Sequence, residues 1–182
     1  GVDPVLVDGD NNVLEGAADG NLCINRSWPG QMRTVYGDHQ RFIETYFTTF
    51  PGRYFSGDGA RRDEDGYFWF VGRADDVIIS AGYRIGPFEV ESALIEHPAV
   101  AESAVVASPD EVRGDIVKAF IILAPDYVAS DELMVSLQDH VRTTTAPYKY
   151  PRAVEFVTEL PKTVSGKIRR VELRQTSHSD RR

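Results

Sequence analysis

The 182-residue sequence contains one cysteine, Cys23, and four histidines. A single cysteine cannot form an internal disulfide, and no cysteine–histidine spacing typical of a zinc site is present. No apolar run approaches the roughly 18 residues that a membrane-spanning helix needs, and no charged-then-apolar leader is visible. These absences favour a reducing compartment, and we expect a cytoplasmic location with no membrane span.

Positive charge is also scarce, and it is unevenly distributed. The chain has 20 Lys and Arg against 28 Asp and Glu, a formal net charge of −8. Such an acidic chain is a poor general binder of nucleic acid, and we expect no nucleic-acid partner. Residues 152–182 nevertheless carry +4, while the first 151 residues carry −12. A basic end on an acidic body favours a local site for an anion such as phosphate.

The first third of the chain is rich in turns and short apolar runs. These runs predict strands over residues 4–7, 20–25, 54–58 and 67–71. Between them, Asp38 is a plausible N-cap for a helix that Pro51 and Gly52 end. The chain begins at Gly1 within this strand-rich segment, and we expect it to be a piece of a longer polypeptide.

The pattern changes after residues 73–76, where we place a domain boundary. The later part predicts strands over residues 77–79, 100–107, 116–123 and 153–157, with a turn at 108–110. It predicts helices over residues 88–97, 130–143 (capped by Ser130) and 168–174. We therefore expect an α+β fold: a β-rich end of a larger domain over residues 1–74, and a small domain over 75–175 with a central mixed sheet flanked by helices. Residues 176–182 are expected to be a frayed tail.

Two stretches could bind a nucleotide. In the first, Asp58 lies between Gly57 and Gly59, where a carboxylate could accept hydrogen bonds from the vicinal hydroxyls of a ribose. In the second, Arg73 and Arg84 bracket a short strand and a glycine-containing loop, and the planar guanidinium group can hold phosphate oxygens. The alternatives, a turn aspartate bonded to its own backbone and an exposed hairpin with ordinary charges, stay open on these patterns alone.

Two further stretches are basic. Residues 161–167 end in Gly166 and Lys167, which predicts either a phosphate-contacting lysine or a solvated loop. The spacing is not that of a phosphate-binding P-loop. The second set combines basic and aromatic side chains that could hold a phosphorylated nucleotide or could form a solvated face. Its members are Arg113, Arg142, Tyr148, Lys149, Tyr150 and Arg152.

The order of these motifs is more specific than any one of them. They run Tyr54-Phe55-Ser56-Gly57-Asp58-Gly59, then Gly72-Arg73-Ala74-Asp75-Asp76, then Gly82-Tyr83-Arg84-Ile85, then Pro161-Lys162-Thr163-Val164-Ser165-Gly166-Lys167. The sequence resembles the C-terminal part of the AMP-forming acyl-CoA synthetases of the adenylate-forming superfamily. Residues 1–72 look most like acetyl-CoA synthetases, and residues 73–175 look more like medium-chain acyl-CoA synthetases.

The resemblance implies a two-step ligase reaction. A carboxylate attacks the α-phosphate of Mg²⁺-bound ATP, and the thiol of coenzyme A then displaces AMP from the acyl adenylate. By the same resemblance Asp58 and Arg73 would bind the ribose, Asp75 would be the hinge of a mobile domain, and Arg84 would meet the phosphates. Lys167 would stabilise charge in the first step and would be a target of reversible acetylation by a lysine acetyltransferase and a deacetylase.

The remaining implied roles concern coenzyme A and a metal. The turn of Ala81, Gly82 and Tyr83 would line the path of the pantetheine arm. The nucleotide of coenzyme A would contact Arg113, Arg142, Tyr150, Pro151 and Arg152. A magnesium ion would lie at the loop of Ile95, His97 and Val100.

Two departures from the family pattern and several rival functions remain. Ile79 stands where relatives often carry a polar residue, and the phosphate loop and acid pocket of the family are not in this sequence. We therefore expect no adenylation by this chain alone. Our first prediction is a short-chain acid ligase, with acetate as the acid. The alternatives are a medium-chain acyl-CoA ligase, a peptide-synthetase or luciferase-like enzyme, and a non-catalytic module that binds coenzyme A or AMP.

Overall fold

The computed structural model describes residues 1–179. The chain divides into two compact units, residues 1–75 (unit 1) and the residues from Asp76 onward (unit 2). Both combine strands with helices, so the predicted α+β class is confirmed. The domain limits and the hinge at Asp75 stay predictions.

Unit 1 is a four-stranded antiparallel sheet with one helix. Its elements are β1 (Pro4–Val7), β2 (Ala18–Ile24), β3 (Tyr54–Arg62), β4 (Phe68–Arg73) and helix α1 (His39–Tyr46). The strands lie in sequence order. Leu6, Leu22 and Ala60 pack on one face, while Val7 and Cys23 pack elsewhere, as expected from the two-residue period of a strand. The predicted N-cap is present, because the Asp38 carboxylate accepts from Arg41 N at 3.0 Å.

Unit 2 is built on a five-stranded mixed sheet. Its strands are β5 (Ile78–Ser80), β6 (Tyr83–Ile85), β7 (Val100–Asp110), β8 (Gly114–Leu123) and β9 (Ala153–Phe156). Its helices are α2 (Pro87–Ile95), α3 (Asp131–Thr144), a 3₁₀ turn (Pro147–Lys149) and α4 (Arg170–Ser179). The order is β6-β5-β8-β7, and β9 runs parallel to β8. The Ser130 hydroxyl caps α3 by accepting from Leu133 N at 3.2 Å.

Helices cover both faces of the unit 2 sheet. On one face, Val105 and Ile121 pack with Leu94 of α2 and Leu137 of α3. On the other face, Val106 and Phe120 pack with Leu160 and with Leu173 of α4. Successive residues of β7 therefore enter opposite halves of the core, and the fully buried strands read as continuous apolar runs.

Three predicted boundaries in unit 2 are wrong. Ser108, Pro109 and Asp110 were predicted to form a turn, but they continue β7 to its pairing with the start of β8. Pro109 is tolerated because β7 lies at the edge of the sheet. The stretch after Gly82 contains strand β6 rather than a loop alone.

The third boundary is the end of α4. Residues 176–179, expected to be frayed, extend this helix, and the hydroxyls of Thr176 and Ser177 donate to main-chain oxygens one turn back. Residues 180–182 of the predicted tail lie outside the described residues. In the described part of the chain, no helix combines the length and the apolar content that crossing a bilayer requires.

Candidate functional site

In unit 1, Asp58 and Arg73 face each other across β3 and β4. They are register partners of the antiparallel pair, and Arg73 Nη1 lies 3.6 Å from Asp58 Oδ1. Arg73 Nε also lies 3.4 Å from Asp75 Oδ1. Asp58 therefore lies within a strand, not at the strand end that its flanking glycines suggested. The pair presents a carboxylate and a guanidinium group side by side at the sheet surface.

Gly57 makes this arrangement possible. Its φ is +81°, and a Cβ at this position would lie 2.5 Å from Arg73 Nη1, so a side chain here would displace the guanidinium group. The Ser56 hydroxyl donates to Leu22 O at 2.8 Å and accepts from Asp58 N at 3.1 Å. Glycine thus admits the guanidinium group, while Ser56 fixes the backbone that carries the carboxylate.

In unit 2, Ala81 and Gly82 form the two-residue turn between β5 and β6. Ser80 pairs with Tyr83, and both central residues have positive φ, 49° for Ala81 and 84° for Gly82. This is the geometry of a type I′ hairpin turn, which matches the twist of its strands. An alanine in this region is strained by roughly 1–2 kcal/mol. The strain falls on a residue predicted to line the coenzyme A path.

Two contacts hold this turn from outside. Ala81 N donates to Arg113 O at 3.1 Å, so the turn at residues 111–113 braces the turn at 81–82. The ring of Tyr83 stacks on Tyr148 with centroids 4.2 Å apart and an interplanar angle of 17°. The sequence indicates Tyr148 only as a member of the basic and aromatic set that could hold a phosphorylated nucleotide. Its pairing with Tyr83 joins residues 65 positions apart in sequence, which no local pattern signals.

The predicted coenzyme A residues near the end of α3 do come together. The guanidinium carbons of Arg142 and Arg152 lie 4.3 Å and 4.8 Å from the Tyr150 ring centroid. Arg152 Nη1 also donates to the Tyr150 hydroxyl at 2.8 Å. Pro151 is buried, and its carbonyl accepts from Gln138 Nε2 at 3.0 Å. Two cations around one aromatic ring form a surface suited to a phosphorylated nucleotide.

The 3₁₀ turn that carries Tyr148 is tied to α2. Lys149 Nζ lies 2.9 Å from Glu89 Oε2. This pairing was not predicted, because the two residues are 60 positions apart in sequence. The stacked tyrosines and this ion pair link the 81–83 turn to the segment containing Tyr150.

Lys167 lies on a closed hairpin rather than a flexible loop. Thr163 N donates to Lys167 O at 2.8 Å, and Gly166 N donates back to Thr163 O at 2.9 Å. Lys167 N donates to the Thr163 hydroxyl at 3.1 Å. Arg169 N donates to Pro161 O at 2.8 Å and so closes the base of the hairpin. The main chain of Lys167 is therefore fixed while its side chain is exposed.

Within residues 1–179, the side chains of Arg84, Arg113 and Lys167 are exposed and have no ion-pair or hydrogen-bond partner. Most other cations of unit 2 are paired, for example Lys162 with Glu102 at 2.6 Å. Unpaired cations on well-defined backbone are available to an anionic ligand. No described contact joins Arg84 or Lys167 to the Tyr150 cluster, so unit 2 presents its predicted residues in separate groups.

A magnesium ion at the loop of Ile95, His97 and Val100 would bind main-chain oxygens, because Ile95 and Val100 carry no side-chain donor. Mg²⁺ prefers oxygen ligands in octahedral geometry. The His97 imidazole accepts from Ala99 N at 3.2 Å and lies 3.4 Å from the Ser136 hydroxyl. His97 O already accepts from Val100 N at 3.0 Å. Elsewhere in residues 1–179, no three His, Cys, Asp or Glu side chains are placed to hold a metal ion.

A cavity of about 500 Å³ lies in unit 1 near α1. Its lining includes Trp28, Met32, Phe42 and Phe47. None of the predicted site residues lines it. The candidate site is thus defined by side-chain chemistry and not by this cavity.

The comparisons with known proteins agree with the motif order. Residues 89–167 match the family model described as the AMP-binding enzyme C-terminal domain. The chain is 54% identical over 180 residues to an acetyl-coenzyme A synthetase of Sinorhizobium medicae, and 55% identical to one of Parvibaculum lavamentivorans. Each alignment covers 99% of this chain and 28% of the relative. The chain therefore spans somewhat over a quarter of the length of these relatives.

A solved structure shows the same fold. The crystal structure of the anthranilate CoA ligase AuaEII in complex with anthranoyl-AMP matches with a TM-score of 0.80 at 38% identity. That match covers 97% of this chain and 33% of the ligase. The acetyl-CoA synthetase relatives align across both units, so the two halves of this sequence occur together in single proteins.

Proposed function

We propose that this chain, whose residues 89–167 match the AMP-binding enzyme C-terminal domain model, is the C-terminal part of an acid–thiol ligase. In the first step an acid carboxylate attacks the α-phosphorus of ATP, forming acyl-AMP and releasing pyrophosphate. In the second step the thiolate of coenzyme A attacks the acyl carbon, forming the thioester and releasing AMP.

The observation that carries the proposal is the state of Lys167. It is an exposed ammonium group without a partner in the described chain, on a hairpin closed by its own hydrogen bonds. A preorganised cation stabilises charge that develops on the α-phosphate as pyrophosphate leaves. We assign Arg84, another exposed cation of unit 2 without a partner in the described chain, to the phosphates of the same substrate.

The Asp58–Arg73 pair suits a ribose. An ionised carboxylate accepts two hydrogen bonds and can take both hydroxyls of a vicinal diol. Arg73 Nη1 lies 3.6 Å from Asp58 Oδ1, so the guanidinium group and the carboxylate can contact the same ribose. We assign Asp58 and Arg73 to the ribose of ATP in the first step and of acyl-AMP in the second.

The second step is assigned to a different group of residues in unit 2. The 81–83 turn would border the pantetheine arm, with Arg113, Arg142 and Tyr150 through Arg152 holding the nucleotide of coenzyme A. We propose that the backbone at Asp75 is the hinge through which unit 2 presents its two faces in turn. Asp75→Pro would then leave one half-reaction working.

The acid is proposed to be acetate, because both relatives named above are acetyl-coenzyme A synthetases. Mg²⁺ is assigned to the reaction as part of MgATP. A second magnesium ion is proposed at the main-chain oxygens of the Ile95, His97 and Val100 loop, and no step is assigned to it.

Lys167 is also proposed as a site of reversible acetylation by a lysine acetyltransferase and a deacetylase. An amide in place of the ammonium group removes the charge on which the first step depends. A cytoplasmic location stays a prediction from the single cysteine.

The complete polypeptide that the gene encodes provides the test. ATP–pyrophosphate exchange is measured with acetate, propionate and octanoate, and thioester formation is measured with coenzyme A. We expect exchange and thioester with acetate, weaker activity with propionate and none with octanoate. Faster turnover of octanoate would replace acetate with a medium-chain acid. Binding of AMP or coenzyme A without either half-reaction would leave only a binding module.

A further inference from the structure

Four charged side chains form a half-buried cluster in unit 2 that none of the assigned roles uses. Arg170 donates to both oxygens of Glu91, at 2.8 Å and 2.7 Å. Arg170 Nη1 also lies 3.7 Å from Asp76 Oδ2, and Arg174 donates to the other oxygen of Asp76. We name Asp76, Glu91, Arg170 and Arg174 the charge clamp.

The clamp is shielded from water and its charges are balanced. The side chains of Glu91 and Asp76 are 8% and 14% exposed, and those of Arg170 and Arg174 are 22% and 24% exposed. Glu91 Oε1 also accepts from Val105 N at 2.8 Å, so the cluster reaches the sheet. A satisfied polar network in a low-dielectric setting holds its members in one arrangement.

The clamp joins three distant parts of the chain. Asp76 is the first residue of unit 2, Glu91 lies on α2, and Arg170 is the first residue of α4. Arg170 follows Lys167 by three positions. The base of the Lys167 hairpin, where Arg169 N donates to Pro161 O, is adjacent to the clamped residue.

We infer that Arg170 is a positioning residue: its fork on Glu91 and Asp76 fixes the base of the 161–169 hairpin and thereby aims Lys167. The kinetic part of this inference rests on the proposed function of Lys167. Arg174 belongs to the same clamp, but it lies one helical turn farther from the hairpin. The two arginines therefore separate hairpin positioning from the general stability of unit 2.

The matched variants are Arg170→Met and Arg174→Met, since each removes one half-buried cation beside Asp76 and keeps an unbranched apolar stem. Hydrogen exchange of the peptide covering residues 161–169 is measured in the complete polypeptide. We expect at least tenfold faster exchange in Arg170→Met and less than twofold change in Arg174→Met. Equal exchange in both variants would overturn the inference.

The two half-reactions supply a second readout. In Arg170→Met the rate constant of ATP–pyrophosphate exchange should fall at least tenfold, while thioester formation from supplied acyl-AMP changes less than twofold. Arg170→Lys keeps the charge but loses the planar guanidinium group. Its rate of ATP–pyrophosphate exchange should lie between those of Arg170→Met and the wild type. An equal fall in both half-reactions would mean that Arg170 only stabilises the unit.

The outcomes separate the inference from the proposed function. One outcome is that the wild-type polypeptide catalyses neither half-reaction while Arg170→Met still shows faster hydrogen exchange in the hairpin. That result would refute the proposed function and leave the positioning role of Arg170 standing. Unaltered hairpin exchange in an active enzyme would do the reverse. If Arg170→Met does not fold, Arg170→Lys carries the hydrogen-exchange comparison.

Discussion

The two units present their charged residues in opposite ways. In unit 1 the Asp58–Arg73 pair lies across two strands with its side chains 31% and 56% exposed. In unit 2 the clamp anions are 14% exposed or less, while Lys167 and Arg84 are exposed and unpaired within residues 1–179. Unit 1 thus holds a solvated pair, and unit 2 separates its shielded charges from its available ones.

The two kinds of ion pair contribute differently to the stability of their units. An exposed ion pair contributes about 0–1 kcal/mol to folding, so the Asp58–Arg73 pair adds little to the stability of unit 1. Removing one partner from a buried pair costs far more, because the remaining charge stays desolvated. The clamp therefore belongs to the architecture of unit 2.

The largest expected effect comes from removing one anion in each unit. Glu91→Ala leaves the Arg170 guanidinium poorly paired and Val105 N–H without its acceptor, and we expect a loss of about 3–5 kcal/mol in the stability of unit 2. Asp58→Ala should cost unit 1 at most about 1 kcal/mol. Urea titration followed by hydrogen exchange reports each unit separately, and equal losses would break the comparison.

The next effect concerns the available cations of unit 2. Lys167→Ala should slow ATP–pyrophosphate exchange by about 10²–10³-fold, the range for removal of one preorganised electrostatic contact. Thioester formation from supplied acyl-AMP should persist. Lys162→Ala is the matched control, because Lys162 lies on the same hairpin and is already paired with Glu102. Loss of both half-reactions, or of neither, would contradict the role given to Lys167.

A turn glycine in each unit tests the predicted path of the pantetheine arm, with a smaller expected change in stability. Gly82 in unit 2 and Gly66 in unit 1 have φ of 84° and 87°, and both have open space around them. Leucine at either position should cost roughly 1–2 kcal/mol of stability through the same backbone strain. Only Gly82→Leu should also block the coenzyme A step. Normal thioester formation in Gly82→Leu would move the pantetheine path away from this turn.

The smallest effect is a difference in pH response. Burial, followed by the neighbouring His140, lowers the pKa of His97 below its usual 6.5. The unfolded chain therefore takes up this proton first, and unit 2 should lose stability as pH falls below 6.5 towards the folded-state pKa. Above 6.5 this contribution is complete.

Unit 1 should respond only at lower pH. The Trp69 indole donates to Asp63 at 2.7 Å, which lowers the pKa of Asp63 below 3.8. Its contribution is complete above 3.8 and is lost as pH falls through the folded-state pKa. Urea midpoints of each unit between pH 7.5 and 4.5 check this order. His97→Asn keeps an acceptor for Ala99 N and should remove its part of the slope in unit 2.

Local pattern was sufficient for much of the fold. The Asp38 and Ser130 caps, strand β1 and helix α3 each depend on neighbours within a few residues, so the sequence predicts them. The end of β7 was misplaced because an edge strand tolerates residues typical of turns, and Ser108, Pro109 and Asp110 pair with β8. The end of α4 was misplaced because Ser177, a polar residue, is buried and bonded to Leu173 O.

The candidate site divides in the same way. Asp58, Arg73, Lys167 and the 81–83 turn were recognisable, because their residue types and order are written in short motifs. The Tyr83–Tyr148 stack, the Lys149–Glu89 pair and the charge clamp were not. The Arg170–Glu91 pair joins residues 79 positions apart, and the Arg174–Asp76 pair joins residues 98 positions apart.

The sequence by itself determined the residue chemistry: which carboxylates, cations and glycines are present, and the caps and strand periods that need only near neighbours. Tertiary structure alone decided which charges are buried against a partner and which stay exposed. Pairing of this kind depends on the packing of α2, α4 and the sheet. A desolvated charge needs a partner, whereas a solvated charge does not. An arginine therefore forms ion pairs within the fold at Arg170 and stays exposed at Arg84.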